Sequence, residues 1–126
     1  MLQGKIRPLK SSPSPHFAVV TGMPVITWLL DSLEGQLLAE TLTKKQMLPY
    51  RARVRARSMD EFDGWVRHEG EEFLYVLTGV IQLYTEFYEP VEMRRGDSAY
   101  YDATMGHNVI SLSDEDAMIL WVTSLV

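Results

Sequence analysis

The sequence predicts an all-β domain of antiparallel strands, closed as a barrel or sandwich. Three observations carry this: one stretch alternates strictly with period two, the apolar residues come in short bursts divided by turn residues, and almost no segment has helical period. At 126 residues, with 46% hydrophobic and 23% charged residues, the chain has the composition of a single ordinary globular domain.

In chain order, residues 1–15 are polar and hold Pro8, Pro13 and Pro15, so they predict an extended N-terminal arm, followed by one barrel domain over 16–126. FAVV (17–20), PVITWLL (24–30) and QLLAETL (36–42) have strand length, although LLDSLEGQLL (29–38) could form a short helix. YRARVRARS (50–58) places Arg51, Arg53, Arg55 and Arg57 on one face and Ala52, Val54 and Ala56 on the other. The small apolar face suits a barrel interior, and the arginines are expected outside, paired with acidic residues such as Glu86 or Glu92. EFLYVLTG (72–79) and VIQLYTEFY (80–88) are rich in β-branched and aromatic residues, with Gly79 at the break between them. VEMRR, a Gly96–Asp97 turn, SAYY, HNVISL and AMILWVTSLV complete about nine to eleven strands. No internal repeat and no second domain are apparent.

Composition narrows the chemistry. The chain has no cysteine, which excludes disulfides, thiol catalysis and thiolate-held metals, and leaves His, Asp and Glu as metal ligands. There are three histidines, His16, His68 and His107. The net charge of −5 argues against an extended nucleic-acid surface. It divides unevenly: residues 1–57 carry nine Lys/Arg against three Asp/Glu, and residues 58–126 carry three against fourteen, so the halves are expected to attract. No apolar run approaches the roughly 20 residues of a membrane-spanning helix, and the first residues do not read as a secretory signal, so a cytoplasmic location is expected.

Two stretches could bring metal ligands to one point. In WVRHEGEEFLYVLTG, His68 lies in a turn and Glu72 opens a strand; with Glu72 inward, Leu74 and Val76 share its face and Phe73, Tyr75 and Leu77 face out. In GDSAYYDATMGHNVIS, His107 starts a strand. Taken singly, each histidine is better read as a hydrogen-bonded structural residue than as a ligand.

Together, the two stretches resemble the paired signature segments of the cupin superfamily, over about residues 45–124. His68 matches the second His of the first segment, Glu72 its Glu and Gly79 its closing Gly, while Gly96 and His107 match the second segment. The resemblance implies a double-stranded β-helix, or jelly-roll barrel, and a homodimer. The departures are Val66 in place of the first His, Asp60 in place of the leading Gly, Asp102 and Thr104 in place of a Pro and a Gly, and Ser111 in place of an Asn. The usual three-His, one-Glu site is thereby reduced to His68, Glu72 and His107, which could still hold one divalent metal: zinc, iron(II), nickel or manganese. Val66 makes one side of the pocket apolar, and Val66 and Tyr101 are the expected ligand-binding residues.

Within cupins the phrasing is most similar to the sensor domains of helix-turn-helix bacterial regulators. The helix-turn-helix itself is not legible here, so the chain is expected to be a stand-alone relative or the part that follows the DNA-binding helices, with no direct nucleic-acid contact. The preferred expectation is a non-catalytic sensor that binds a small molecule in the barrel. The alternative is a metal-dependent enzyme of the dioxygenase, isomerase or decarboxylase type, with Tyr101 and Glu71 as proton-transfer candidates.

Overall fold

Alternation of small apolar and charged residues lets a strand bury one face, and the chain uses this repeatedly. The computed structural model describes residues 14–24 and 26–125. It holds nine strands: β1 (Thr27–Leu29), β2 (Leu33–Leu37), β3 (Met47–Val54), β4 (Glu71–Thr78), β5 (Val80–Thr85), β6 (Tyr88–Arg94), β7 (Ser98–Asp102), β8 (His107–Ser111) and β9 (Ala117–Ser124). They form a six-stranded sheet in the order β1-β2-β3-β9-β4-β7 and a three-stranded sheet in the order β6-β5-β8. Every strand pair is antiparallel. This is the jelly-roll architecture expected of a cupin. No helix among the described residues is long and apolar enough to cross a membrane.

The core lies between the two sheets, where Ala52, Val54, Leu74, Val76, Ile81, Ala117 and Ile119 are fully buried. Ala52, Val54 and Ala56 face inward as the alternation requires, and β4 buries Glu72, Leu74 and Val76 while Tyr75 stays exposed. Gly79 does not close a hairpin: β4 pairs with β7 and β9, whereas β5 pairs with β6 and β8, so the chain changes sheets there. Its φ of +82° favours glycine, and a Cβ would meet Ala117 Cα at 2.8 Å.

Several local expectations are corrected. Residues 29–38 form no helix; Leu30–Ser32 turn the chain between β1 and β2, because pairing of β2 with β1 and β3 outweighs a weak helical pattern. FAVV lies outside the strands, QLLAETL is strand only at Gln36–Leu37, and a turn at Glu86–Phe87 divides VIQLYTEFY. The arginine row pairs with neither Glu86 nor Glu92. Arg51 donates to Gln36 Oε1 at 2.9 and 2.7 Å, Arg53 approaches Glu34 at 3.9 Å, Arg55 donates to the Leu30 carbonyl, and Arg57 meets Asp116 at 2.7 Å. Glu86 is taken by Arg67, and Glu92 by Arg94. Strand register, which an isolated sequence does not display, decides these partners. Of the expected arm, residues 1–13 lie outside the described residues; Ser14 bridges Leu42.

Candidate metal centre

Glu72 is the centre of the site because β4 turns it inward into a ring of donors. It is 2% exposed, and both oxygens are engaged. Oε1 accepts from the Tyr101 hydroxyl at 2.7 Å and the Trp121 indole at 2.8 Å. Oε2 accepts from the Thr123 hydroxyl at 2.8 Å and lies 2.8 Å from His68 Nε2. Cross-strand register supplies these neighbours, since Glu72 stands opposite Tyr101 on β7 and Thr123 on β9. Burial by itself raises the Glu72 pKa, but His107 and the hydroxyls of Tyr101 and Thr123 outweigh it and hold the carboxyl at about 2.

His107 enters from the other sheet at the start of β8 and is 1% exposed. Its Nδ1 faces the Met105 carbonyl at 2.8 Å, which favours the proton on that nitrogen and turns Nε2 toward Glu72. Nε2 lies 3.2 Å from Glu72 Oε1, within ion-pair range, yet lacks the alignment of a hydrogen bond and has no hydrogen-bond partner. A neutral imidazole would thus set a lone pair against a carboxylate, an arrangement relieved by a proton or a metal cation. Burial pulls the His107 pKa down, but Glu72 and the Met105 carbonyl outweigh it, leaving it raised. His68, in the loop before β4, is held by its backbone N–H to the Ala103 carbonyl, and its ring meets that of His107 edge to face with centroids 5.4 Å apart.

One donor atom from each of His68, Glu72 and His107 lies within 4.8 Å of the others. Two imidazole nitrogens and a carboxylate, one nitrogen orphaned and buried, fit a divalent cation. A cavity of about 260 Å³ opens beside them, with Trp28, Leu30, Leu33, Phe62, Val66 and Val109 as its apolar wall and Tyr50 and Asn108 among its polar groups.

The structure places the other expected residues differently from one another. Val66 lines this cavity and bridges His107 through the backbone. Tyr101 stands behind Glu72; burial, with the adjacent carboxylate, pushes its hydroxyl far above the ordinary range, so it acts as a fixed donor. Glu71 faces out and accepts from Tyr100 at 2.7 Å, and His16 is exposed. Asp102 accepts from the backbone and hydroxyl of Thr104, shaping the turn in place of the family's Pro and Gly. Ser111 bonds the Val54 carbonyl and the Ala117 N–H, a structural role.

Sequence reasoning missed Trp28, Tyr50, Trp121, Thr123 and Asn108. Asn108 ties the loop before the site, accepting from the Val66 N–H at 3.4 Å and donating to the Gly64 carbonyl at 3.1 Å. The period-two parity of β9 puts Trp121 and Thr123 on the same face, the one signal that could have found them.

Residues 60–123 match the family described as the cupin domain. No curated protein gives a match to the chain. Among solved structures, the hydroxypropylphosphonic acid epoxidase from S. wedmorenis superposes with a TM-score of 0.68 at 20% identity, over 87% of this chain and 64% of that one. An iron(II) form of HppE gives 0.68 at 20% identity, over 87% and 65%. A sugar phosphate isomerase of the cupin superfamily from Silicibacter pomeroyi DSS-3 gives 0.59 at 22% identity, over 76% and 61%. The chain thus spans less than two thirds of the length of each. These likenesses are of fold. They nevertheless correct the expectation of a non-catalytic sensor or regulatory module: the neighbours are named as enzymes, and the chain brings a His/Glu/His set together in its barrel, so the enzyme alternative is the better fit.

Proposed function

The chain belongs to the cupin domain family, and from that premise we propose that it is a metal-dependent enzyme whose ion is held by His68, Glu72 and His107. The observation that carries this is the convergence of two imidazoles on one ionised, buried carboxylate, with His107 Nε2 left without a hydrogen-bond partner. Two histidines and one carboxylate are the donor set used by non-haem iron(II) oxygenases, which favours dioxygenase chemistry over the isomerase or decarboxylase types. When bound, the metal supplies Lewis acidity and, as iron(II), a redox partner for dioxygen.

The protein's own groups do the rest. Tyr101, Trp121 and Thr123 fix the orientation of Glu72, and His107, Tyr101 and Thr123 keep it ionised. The Met105 carbonyl holds His107 in the tautomer whose Nε2 faces the site. The apolar residues around Val66 leave room beside the ligands for the apolar part of an organic substrate. The test is metal analysis of untagged protein followed by oxygen uptake after iron(II) loading, repeated on His107→Ala. One metal per chain that is lost in the variant is expected; substoichiometric metal indifferent to His107 would sink the reading.

A homodimer belongs to the same proposal. The edge strands β6 and β7 carry exposed Tyr88 and Tyr100, with Phe87 in the turn before β6. Sedimentation at monomer mass at every concentration would remove it.

A further inference from the structure

One wall of the cavity is aromatic, and it exists because one strand lacks a side chain. Trp28 on β1 stands opposite Gly35 on β2. A Cβ on Gly35 would lie 2.2 Å from the Trp28 ring, so only glycine lets the indole cross β2. The ring thereby reaches Tyr50 on β3, edge to face with centroids 5.2 Å apart, and Tyr50 in turn lies 5.8 Å from Trp121, whose indole N–H is bonded to Glu72. A file of three aromatic rings runs from Trp28 on β1 to the carboxylate.

Charge is the second observation. Among the described residues, no Lys or Arg lines the cavity of about 260 Å³, nor the adjoining one of about 330 Å³ that shares Trp28, Tyr50, His68 and Glu72. The arginine row of β3 and of the residues just after it is engaged elsewhere, with Gln36, Glu34, the Leu30 carbonyl and Asp116. A phosphate or phosphonate entering here would meet no Lys or Arg among the described residues, only the Glu72 carboxylate and two imidazoles, of which His107 is already paired with Glu72. The cavity beside the ligands, about 260 Å³, lies just under the roughly 300–1,000 Å³ of pockets that hold drug-sized molecules, and suits a small ligand.

Resting on the metal-enzyme reading, we propose that the site takes a small, uncharged, aromatic substrate, packed against Trp28 and Tyr50, and discriminates against phosphorus oxyanions. The chain would then differ in substrate class from the two enzymes whose fold it shares and whose names carry a phosphonic acid and a sugar phosphate.

The test compares 4-methylphenol with phenylphosphonate by calorimetry and tryptophan fluorescence on the full chain. It is read first in metal-free protein, so that no bond between an oxyanion and a metal enters. 4-Methylphenol is expected to bind at least about tenfold more tightly, since an unpaired buried charge is strongly disfavoured. Gly35→Ala, which displaces the indole without altering a cavity residue, is expected to weaken 4-methylphenol several-fold while metal content stays the same. Trp28→Ala, on an edge strand, carries the same expectation should the first variant fold poorly. Equal or tighter phenylphosphonate binding, no 4-methylphenol binding, or indifference to both variants would overturn the proposal. A chain that takes up metal but prefers phenylphosphonate defeats the substrate class alone. A chain that shows the preference but takes up no metal defeats the enzyme reading alone.

Discussion

Glu72 and His107 form a buried pair whose charges depend on each other. In metal-free protein the Glu72 carboxyl, held at about 2 against an ordinary 4.5, contributes stability that is fully present above 4.5 and is lost as pH falls toward 2. His107, raised above its ordinary 6.5, contributes stability present below 6.5 and lost as pH rises through its raised value. Urea unfolding across this range should therefore show greatest stability between the two ordinary values, and Glu72→Gln should flatten the acid limb. The same substitution removes one partner of a buried pair and is expected to cost about 3–5 kcal/mol. Tyr101→Phe leaves the ring in place but deletes the hydroxyl donated to Glu72; titration should show metal affinity lower by about 10–100-fold, with little change in fold. Unchanged affinity would mean that Tyr101 packs without orienting the ligand.

At the scale of elements, β4 joins the core to the site: the face that buries Leu74 and Val76 also delivers Glu72. Leu74 is fully buried, and Leu74→Ala should cost about 2–5 kcal/mol by denaturant unfolding, with the spread set by how far the cavity collapses. The inward parity of β4 and of Ala52, Val54 and Ala56 was legible because period two sorts residues by face without reference to any partner strand. The β1–β2 hairpin was not legible. LLDSLEGQLL can be drawn on either period, and only pairing of Gly35 with Trp28 on one side and Ala52 on the other selects the strand.

Across the whole molecule, the ligands come from different places: His68 from a loop, Glu72 from the larger sheet and His107 from the smaller one. A cation that binds them joins the two sheets, so adding metal should raise the unfolding free energy by about 2.7 kcal/mol at a hundredfold excess over Kd. A thermal shift that persists in His107→Ala would assign the binding to another place. The basic and acidic halves meet less than their charges imply. Among the ion pairs of the described residues, Arg57–Asp116 joins them, while Arg67–Glu86 and Arg94–Glu92 lie within the acidic half. A double-mutant cycle on Arg57 and Asp116, both partly solvated, should return about 0.2–1 kcal/mol and shrink with salt.

By itself the sequence determined the all-β class and the inward face of β4, which are written in local spacing. Through the resemblance of two stretches to the cupin signature segments, it also determined the jelly-roll family and the three residues able to hold a metal. Tertiary structure alone decided that Tyr101, Trp121 and Thr123 surround Glu72, that His107 Nε2 is left without a hydrogen-bond partner, and that Trp28 reaches Tyr50 across Gly35. These depend on register between strands far apart in the chain, and a one-residue slip of any strand would turn its side chains to the opposite face.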